Sequence, residues 1–114
     1  MPHCIIEYSS DLDNNERIKE TVQIVTRDLE DSGLFDKSSI KTRAIPYAVY
    51  LVGGEEKSFV HLTIKILNGR SYCQKKELSS RLLNTLIGQF DIENITVEVT
   101  EIDKNTYSKK TVAV

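Results

Sequence analysis

The sequence predicts an α+β domain in which two β-α-β units form one four-stranded sheet with two helices on one of its faces. Three observations predict it. Two stretches carry apolar residues at helical steps of three and four. Each lies between stretches whose apolar residues alternate, as strands require. The order strand, helix, strand, a hairpin-like link, then strand, helix, strand duplicates itself over about residues 1–57 and 58–102, with a C-terminal tail behind, all within a single domain of residues 1–114. The duplication is one of pattern, without evident identity between the halves. Units of this kind join strands through right-handed crossovers.

The first strand is His3 to Tyr8, with Cys4, Ile6 and Tyr8 on one face and His3, Ile5 and Glu7 on the other; both faces are partly apolar. Ser9 to Asn15 is a polar connection. Ile18, Val22, Val25 and Leu29 then recur at steps of four, three and four, the stripe of a helix buried on one side. Ser32-Gly33 ends that helix, glycine supplying the left-handed conformation of a cap, and Leu34 and Phe35 fold back as an apolar contact. Ile40 to Ile45 alternates, which points Lys41 and Arg43 to the same side, roughly 7 Å apart by strand rise. Two cations on one face suit either a solvated, edge-guarding pair or an anion site.

Pro46 is expected to break that strand, Tyr47 to Val52 to form a short extended piece, and Gly53-Gly54 to turn. Phe59 to Ile66 is the best strand in the chain, with Val60, Leu62, Ile64 and Ile66 on one face and His61, Thr63 and Lys65 on the other. Asn68-Gly69-Arg70 turns the chain. Ser71-x-x-Gln74 reads as a capping box opening a second helix that carries Leu78, Leu82, Leu86 and Phe90. Ile95 to Ile102 is the last alternating strand, and the tail from Asp103 is polar apart from Tyr107 and its last few residues. If both helices cover one sheet face, the other, with Cys4, Ile6, His61 and Thr63 as candidates, is too mixed for water, and a partner subunit is expected to cover it.

At 114 residues the chain can bury a core without disulfides or metal. Its 39% hydrophobic and 28% charged residues describe an ordinary globular protein. A net charge of −2 argues against nucleic acid as a partner. No apolar run reaches the eighteen or more residues of a membrane span, so no membrane partner is expected and the cytoplasm is the expected compartment. Cys4 and Cys73 form neither a CxxC pair nor a ligand spacing with His3 and His61, and read as free thiols with no metal.

Chemistry concentrates at the amino terminus. Within a chain the Pro2 nitrogen is an amide with no proton to donate and no basic lone pair. Removal of Met1 would turn it into a secondary amine at the rigid end of a strand, able to act as a base; otherwise Pro2 merely starts an edge strand.

Met1-Pro2-His3, Glu7-x-Ser9, Ile40-x-x-Arg43, Phe59-Val60-His61-Leu62-Thr63-Ile64-Lys65 and Gly69-Arg70-Ser71 together resemble the 5-carboxymethyl-2-hydroxymuconate delta-isomerase family, a branch of the tautomerase superfamily. The resemblance runs to about residue 102. It implies a β-α-β-β-α-β subunit that assembles as a homotrimer with sheets facing inward and uses the mature N-terminal proline as general base, without metal or organic cofactor. On this resemblance Pro2 is the catalytic residue and Arg70 a substrate-binding one. Where the family has Ile-Arg-x-Arg, this chain has Ile40-Lys41-Thr42-Arg43, so Lys41 stands at an arginine associated with the substrate site, beside Arg43. Lysine offers a point charge where arginine offers a planar fork. The tail beyond Ile102 is also shorter than the family's usual C-terminus.

The implied substrate is a small unsaturated polycarboxylate, with 5-carboxymethyl-2-hydroxymuconate the leading expectation and 5-oxopent-3-ene-1,2,5-tricarboxylate its product in homoprotocatechuate breakdown. Arg70, with Lys41 or Arg43, would bind its carboxylates and steady negative charge as it develops. The competing expectations are a tautomerase for another 2-keto or enol acid, suggested by Lys41 and the tail, and a trimeric binding protein without chemistry. His61, inside an alternating strand, reads as a hydrogen-bonded structural histidine rather than a second base. Glu7 reads as an ordinary strand carboxylate, and Tyr8, Tyr47 and Tyr50 as core or subunit-interface aromatics.

Overall fold

The computed structural model describes residues 1–110; the end of the tail, 111–114, lies outside the described residues. Strands β1 (His3–Ser9), β2 (Lys41–Tyr47), β3 (Phe59–Leu67) and β4 (Asn94–Ile102) form a single sheet in the order β2-β1-β3-β4. Helix α1 (Asn15–Asp31) links β1 to its parallel neighbour β2, and helix α2 (Tyr72–Gln89) links β3 to its parallel neighbour β4. The two central strands, β1 and β3, run antiparallel. This is the predicted β-α-β-β-α-β arrangement.

Each helix starts where its sequence can satisfy free amides. The Asn14 side chain accepts from the Arg17 amide at 3.2 Å, a cap hidden in what reads as a polar connection. The predicted capping box opens α2: the Ser71 hydroxyl accepts from the Gln74 amide at 3.2 Å, and the Gln74 side chain accepts from the Ser71 amide at 2.9 Å. Past α1, Gly33 adopts φ 73°, which a residue bearing Cβ resists.

One core joins the layers. Cys4, Ile6 and Tyr8 of β1 and Val60, Leu62, Ile64 and Ile66 of β3 meet Val25 and Leu29 of α1 and Leu78, Leu82 and Leu86 of α2. The fully buried α1 positions are Thr21, Val25 and Leu29, with Ile18 and Val22 only partly covered. Thr21 is tolerated because its hydroxyl donates to the Arg17 carbonyl at 2.8 Å, with the Gln89 side-chain amide 3.1 Å away.

Three expectations are corrected. Cys4 and Ile6 do not belong to the helix-free face: they are 0% and 1% exposed and sit opposite Ile64 and Leu62, under the helices. Alternation already separates Cys4, Ile6 and Tyr8 from the more polar His3, Ile5 and Glu7, and the register with β3 sets the first group against the β3 core residues. The helix-free face is instead His3, Ile5 and Glu7, with Lys41 and Arg43 beside them on β2 and His61, Thr63 and Lys65 on β3.

Pro46 does not end β2, which runs on to Tyr47. The Lys41 amide donates inward to the Pro2 carbonyl at 3.0 Å, so the odd-numbered amides of β2 face β1 and the nitrogen of Pro46 falls on the open edge, where no donor is needed. Tyr47 to Val52 is not a separate strand either. Tyr47 pairs as the end of β2, and beyond it only Val52 pairs, with Glu55, across a tight turn in which Gly53 and Gly54 both take positive φ.

Candidate active site

Pro2 is fully buried where β1 begins, and its nitrogen is acylated by Met1. The turn ahead of β2 holds this end of the chain. The Met1 ammonium donates to the Ser39 carbonyl at 2.9 Å, and the Ser39 hydroxyl, which donates to the Asp36 carbonyl at 2.6 Å, lies 3.4 Å from the Met1 carbonyl. The Lys41 ammonium donates to the same Ser39 carbonyl at 3.2 Å, so two cations share one oxygen. Burial and then the Lys41 charge lower the pKa of the amino terminus from its ordinary 8.0; Lys109 and Arg70 act the same way, and Asp36 acts against them.

The other predicted cations are placed differently. Arg43, one rung along the helix-free face, puts Nη1 3.1 Å from His3 Nδ1. Arg70 donates from Nη2 to the Leu34 carbonyl at 2.6 Å and lies over the Phe35 ring, 5.2 Å from its centroid. That contact gives the predicted fold-back of Leu34 and Phe35 its use, since it ties the turn before α2 to the turn after α1. One of the five guanidinium donors of Arg70 is spent there. Lys41 thus stands directly at the amino terminus, Arg70 within reach of its charge, and Arg43 at the next residue, His3.

His3 is fixed by its neighbours. Arginine can only donate, so His3 Nδ1 accepts; Nε2 then carries the proton and donates to the Tyr107 hydroxyl at 3.0 Å. Burial, and then Arg43, Lys41, the amino terminus and Lys65, lower the His3 pKa, which keeps the ring neutral. With both nitrogens engaged, His3 is not a free base.

Farther along the face, His61 Nδ1 lies 2.6 Å from the Thr96 hydroxyl and Nε2 2.8 Å from Glu98, the hydrogen-bonded structural histidine that its position suggested. Glu7 accepts from the Tyr47 hydroxyl, and Tyr8, 3% exposed, donates to Asp13 at 2.8 Å. Tyr107 and Lys109 were missed by sequence reasoning. The one available signal was that Tyr107 is an aromatic in an otherwise polar run.

A groove between the ends of the helices, lined by Ser32, Leu34, Gln74, Glu77, Leu78 and Arg81, includes none of the residues around Pro2. The chemistry-bearing groups lie instead on the open end of the sheet. Among the described residues no His, Cys, Asp and Glu cluster could hold a metal ion, and no helix is long and apolar enough to cross a membrane. Cys4 and Cys73 are free thiols.

The duplicated β-α-β sheet with both helices on one face is the tautomerase-type fold, and the family match makes the chain an isomerase of that class. The chain belongs to the 5-carboxymethyl-2-hydroxymuconate isomerase family, whose sequence pattern matches residues 2–113. Solved structures agree. A 5-carboxymethyl-2-hydroxymuconate isomerase from Deinococcus radiodurans R1 is 29% identical with a TM-score of 0.86, the match covering 97% of this chain and 90% of that one. A macrophage migration inhibitory factor-like protein from Entamoeba histolytica is 25% identical with a TM-score of 0.78, over 96% of this chain and 95% of that one. A fused 4-OT asymmetric trimer shares the fold at 18% identity and a TM-score of 0.82, over 94% of this chain and 91% of that one. No curated protein sequence matches the chain significantly.

Proposed function

We propose that the chain, once Met1 is removed, isomerises 5-carboxymethyl-2-hydroxymuconate to 5-oxopent-3-ene-1,2,5-tricarboxylate with Pro2 as general base. The observation that carries this reading is the amino terminus itself, which is partly desolvated and shares the Ser39 carbonyl with the Lys41 ammonium. Loss of Met1 moves the free amine onto the Pro2 ring, at the same strand end and beside the same cations. Desolvation and like charge disfavour its protonated form, so a substantial fraction is a neutral base near pH 7.

The Pro2 amine takes the proton of the substrate's 2-hydroxyl. The electron pair of that bond forms the new C=O, the C2=C3 pair moves to C3=C4, and the C4=C5 pair takes up a proton at C5, which Pro2 can return, leaving one double bond conjugated to the carbonyl. No redox change occurs. Lys41 and Arg70 bind carboxylates and steady the dienolate, and Arg43 extends the cationic strip along β2. A positioned base of this kind contributes about 10² to 10⁴ in rate. The active assembly in this proposal is a homotrimer, supported by the fused 4-OT trimers of the same fold and by a helix-free face that mixes Ile5 and Ile45 with charged groups.

The test follows the ultraviolet absorbance of the substrate with three proteins of confirmed mass: mature, Pro2→Ala processed to a free amine, and Met1-retaining. We expect a large loss of turnover in Pro2→Ala and a more complete loss when Met1 is retained, with carboxylate binding largely kept. Equal rates in all three would exclude Pro2 as the base.

A further inference from the structure

The tail after β4 returns across the sheet. The Lys104 amide donates to the Asn68 side chain at 3.1 Å, and Tyr107 then reaches β1, two strands away from β4. There its hydroxyl lies 3.0 Å from His3 Nε2, and its ring meets the His3 ring edge-on, with 6.1 Å between centroids. His3 is itself held from the other side by Arg43 at 3.1 Å. The tail is thus anchored by a chain of three side chains to the residue next to Pro2. Lys109 follows two residues later, within about 7 Å of chain.

We propose that Tyr107 latches the tail across the amino-terminal end of the sheet, so that Lys109 serves as a further carboxylate-binding cation of the Pro2 site alongside Lys41 and Arg70. The proposal rests on the assignment of that site to a polycarboxylate substrate. It gives Lys109 a binding role and Tyr107 a positioning one. Lys109 joins Lys41 and Arg70 in lowering the pKa of the amino terminus, against the opposing charge of Asp36. The chemistry also calls for it. Arg70 has a donor committed to Leu34, and Lys41 offers a point charge in place of a fork, so two carboxylates are gripped less firmly than by two free arginines. A third cation from the tail fits a third carboxylate, which selects small tricarboxylates over dicarboxylates.

The experiment reads binding rather than turnover. Mature wild type, Lys109→Gln, Lys109→Arg and Tyr107→Phe are titrated calorimetrically with propane-1,2,3-tricarboxylate and with succinate, and the Pro2 nitrogen is titrated by NMR in each. We expect Lys109→Gln to weaken the tricarboxylate about tenfold, the lower range for a charge-assisted hydrogen bond, and succinate less than about threefold. Lys109→Arg should restore both, and Tyr107→Phe should weaken the tricarboxylate in the same direction. In Lys109→Gln and Tyr107→Phe the Pro2 amine should titrate at higher pH, because a neighbouring positive charge has gone or moved. Equal losses on both ligands, unchanged affinities, or an unmoved amine titration would each overturn the proposal. Failure of Pro2 as base would appear separately, as turnover that persists in Pro2→Ala, and would leave these binding measurements intact.

Discussion

Ile5 and Ile6 are neighbours on β1 with the same side chain, and the structure gives them opposite duties. Ile6 is 1% exposed and lies opposite Leu62 beneath the helices, whereas Ile5 is half-buried on the helix-free face between Arg43 and Thr63. Replacing a buried Ile by Ala costs about 2–5 kcal/mol, the transfer term plus a cavity the sheet cannot close. A 114-residue domain at about 0.05–0.15 kcal/mol per residue has a total stability of about 6–17 kcal/mol, so Ile6→Ala removes a large share of it. Ile5→Ala should cost about 1 kcal/mol or less in an isolated subunit. In the proposed trimer it should cost more, since the partner that covers this face then loses a contact. Urea unfolding at protein concentrations a hundredfold apart separates the two. Mass action alone shifts a trimer's apparent stability by about 1.8 kcal/mol per protomer over that range. Ile6→Ala should lose a similar amount at both concentrations, and Ile5→Ala should lose much only where the assembly persists. An Ile5→Ala loss equal to that of Ile6→Ala in the dilute limit would refute the assignment of faces.

The remaining predictions concern protons and thiols. Burial and Lys41 disfavour the protonated amino terminus of the Met1-bearing chain, and the same surroundings should lower the Pro2 amine, so kcat/KM of the mature enzyme should rise with pH through a midpoint below that of the Pro2 amine in the urea-unfolded chain; a midpoint at or above that value would contradict the cationic site. Cys4 lies in the core, where burial pushes its thiol up to about 12, while Cys73 is exposed. A chromogenic disulfide at pH 8 should therefore titrate one thiol per native chain and two in denaturant. Two fast-reacting thiols in the native protein would show that β1 is not packed as described.

The fold was legible because its signals are local. The capping box at Ser71 and Gln74, the Val60-Leu62-Ile64-Ile66 face and the Gly53-Gly54 turn each depend on residues close in sequence, and all three appear. The errors fell where tertiary register decides. Cys4 and Ile6 share their face of β1 with Tyr8 whereas Ile5 shares its own with His3 and Glu7, but which face meets the helices is fixed by the pairing with Ile64 and Leu62. Pro46 reads as a breaker until β2 is known to be an edge strand with its odd-numbered amides turned inward.

The candidate site shows the same division in sharper form. Pro2 and Lys41 are 39 positions apart, yet the parallel pairing of β1 with β2 sets the Pro2 carbonyl on the Lys41 amide and brings the Lys41 ammonium and the amino terminus to one Ser39 oxygen. Motif resemblance could put both residues in the site, since it carries positions over from chains that fold alike. It names neither Tyr107 nor Lys109, because it runs only to about residue 102, although the family pattern runs on to residue 113. Only the folded sheet sets Tyr107 against His3. If Lys109 does complete the site, a weaker grip from Lys41 on β2 is offset by a charge from the C-terminal segment. Lys41→Arg should then lessen the tricarboxylate loss caused by Lys109→Gln, and strictly additive effects in that double-mutant cycle would show that the two cations bind independently.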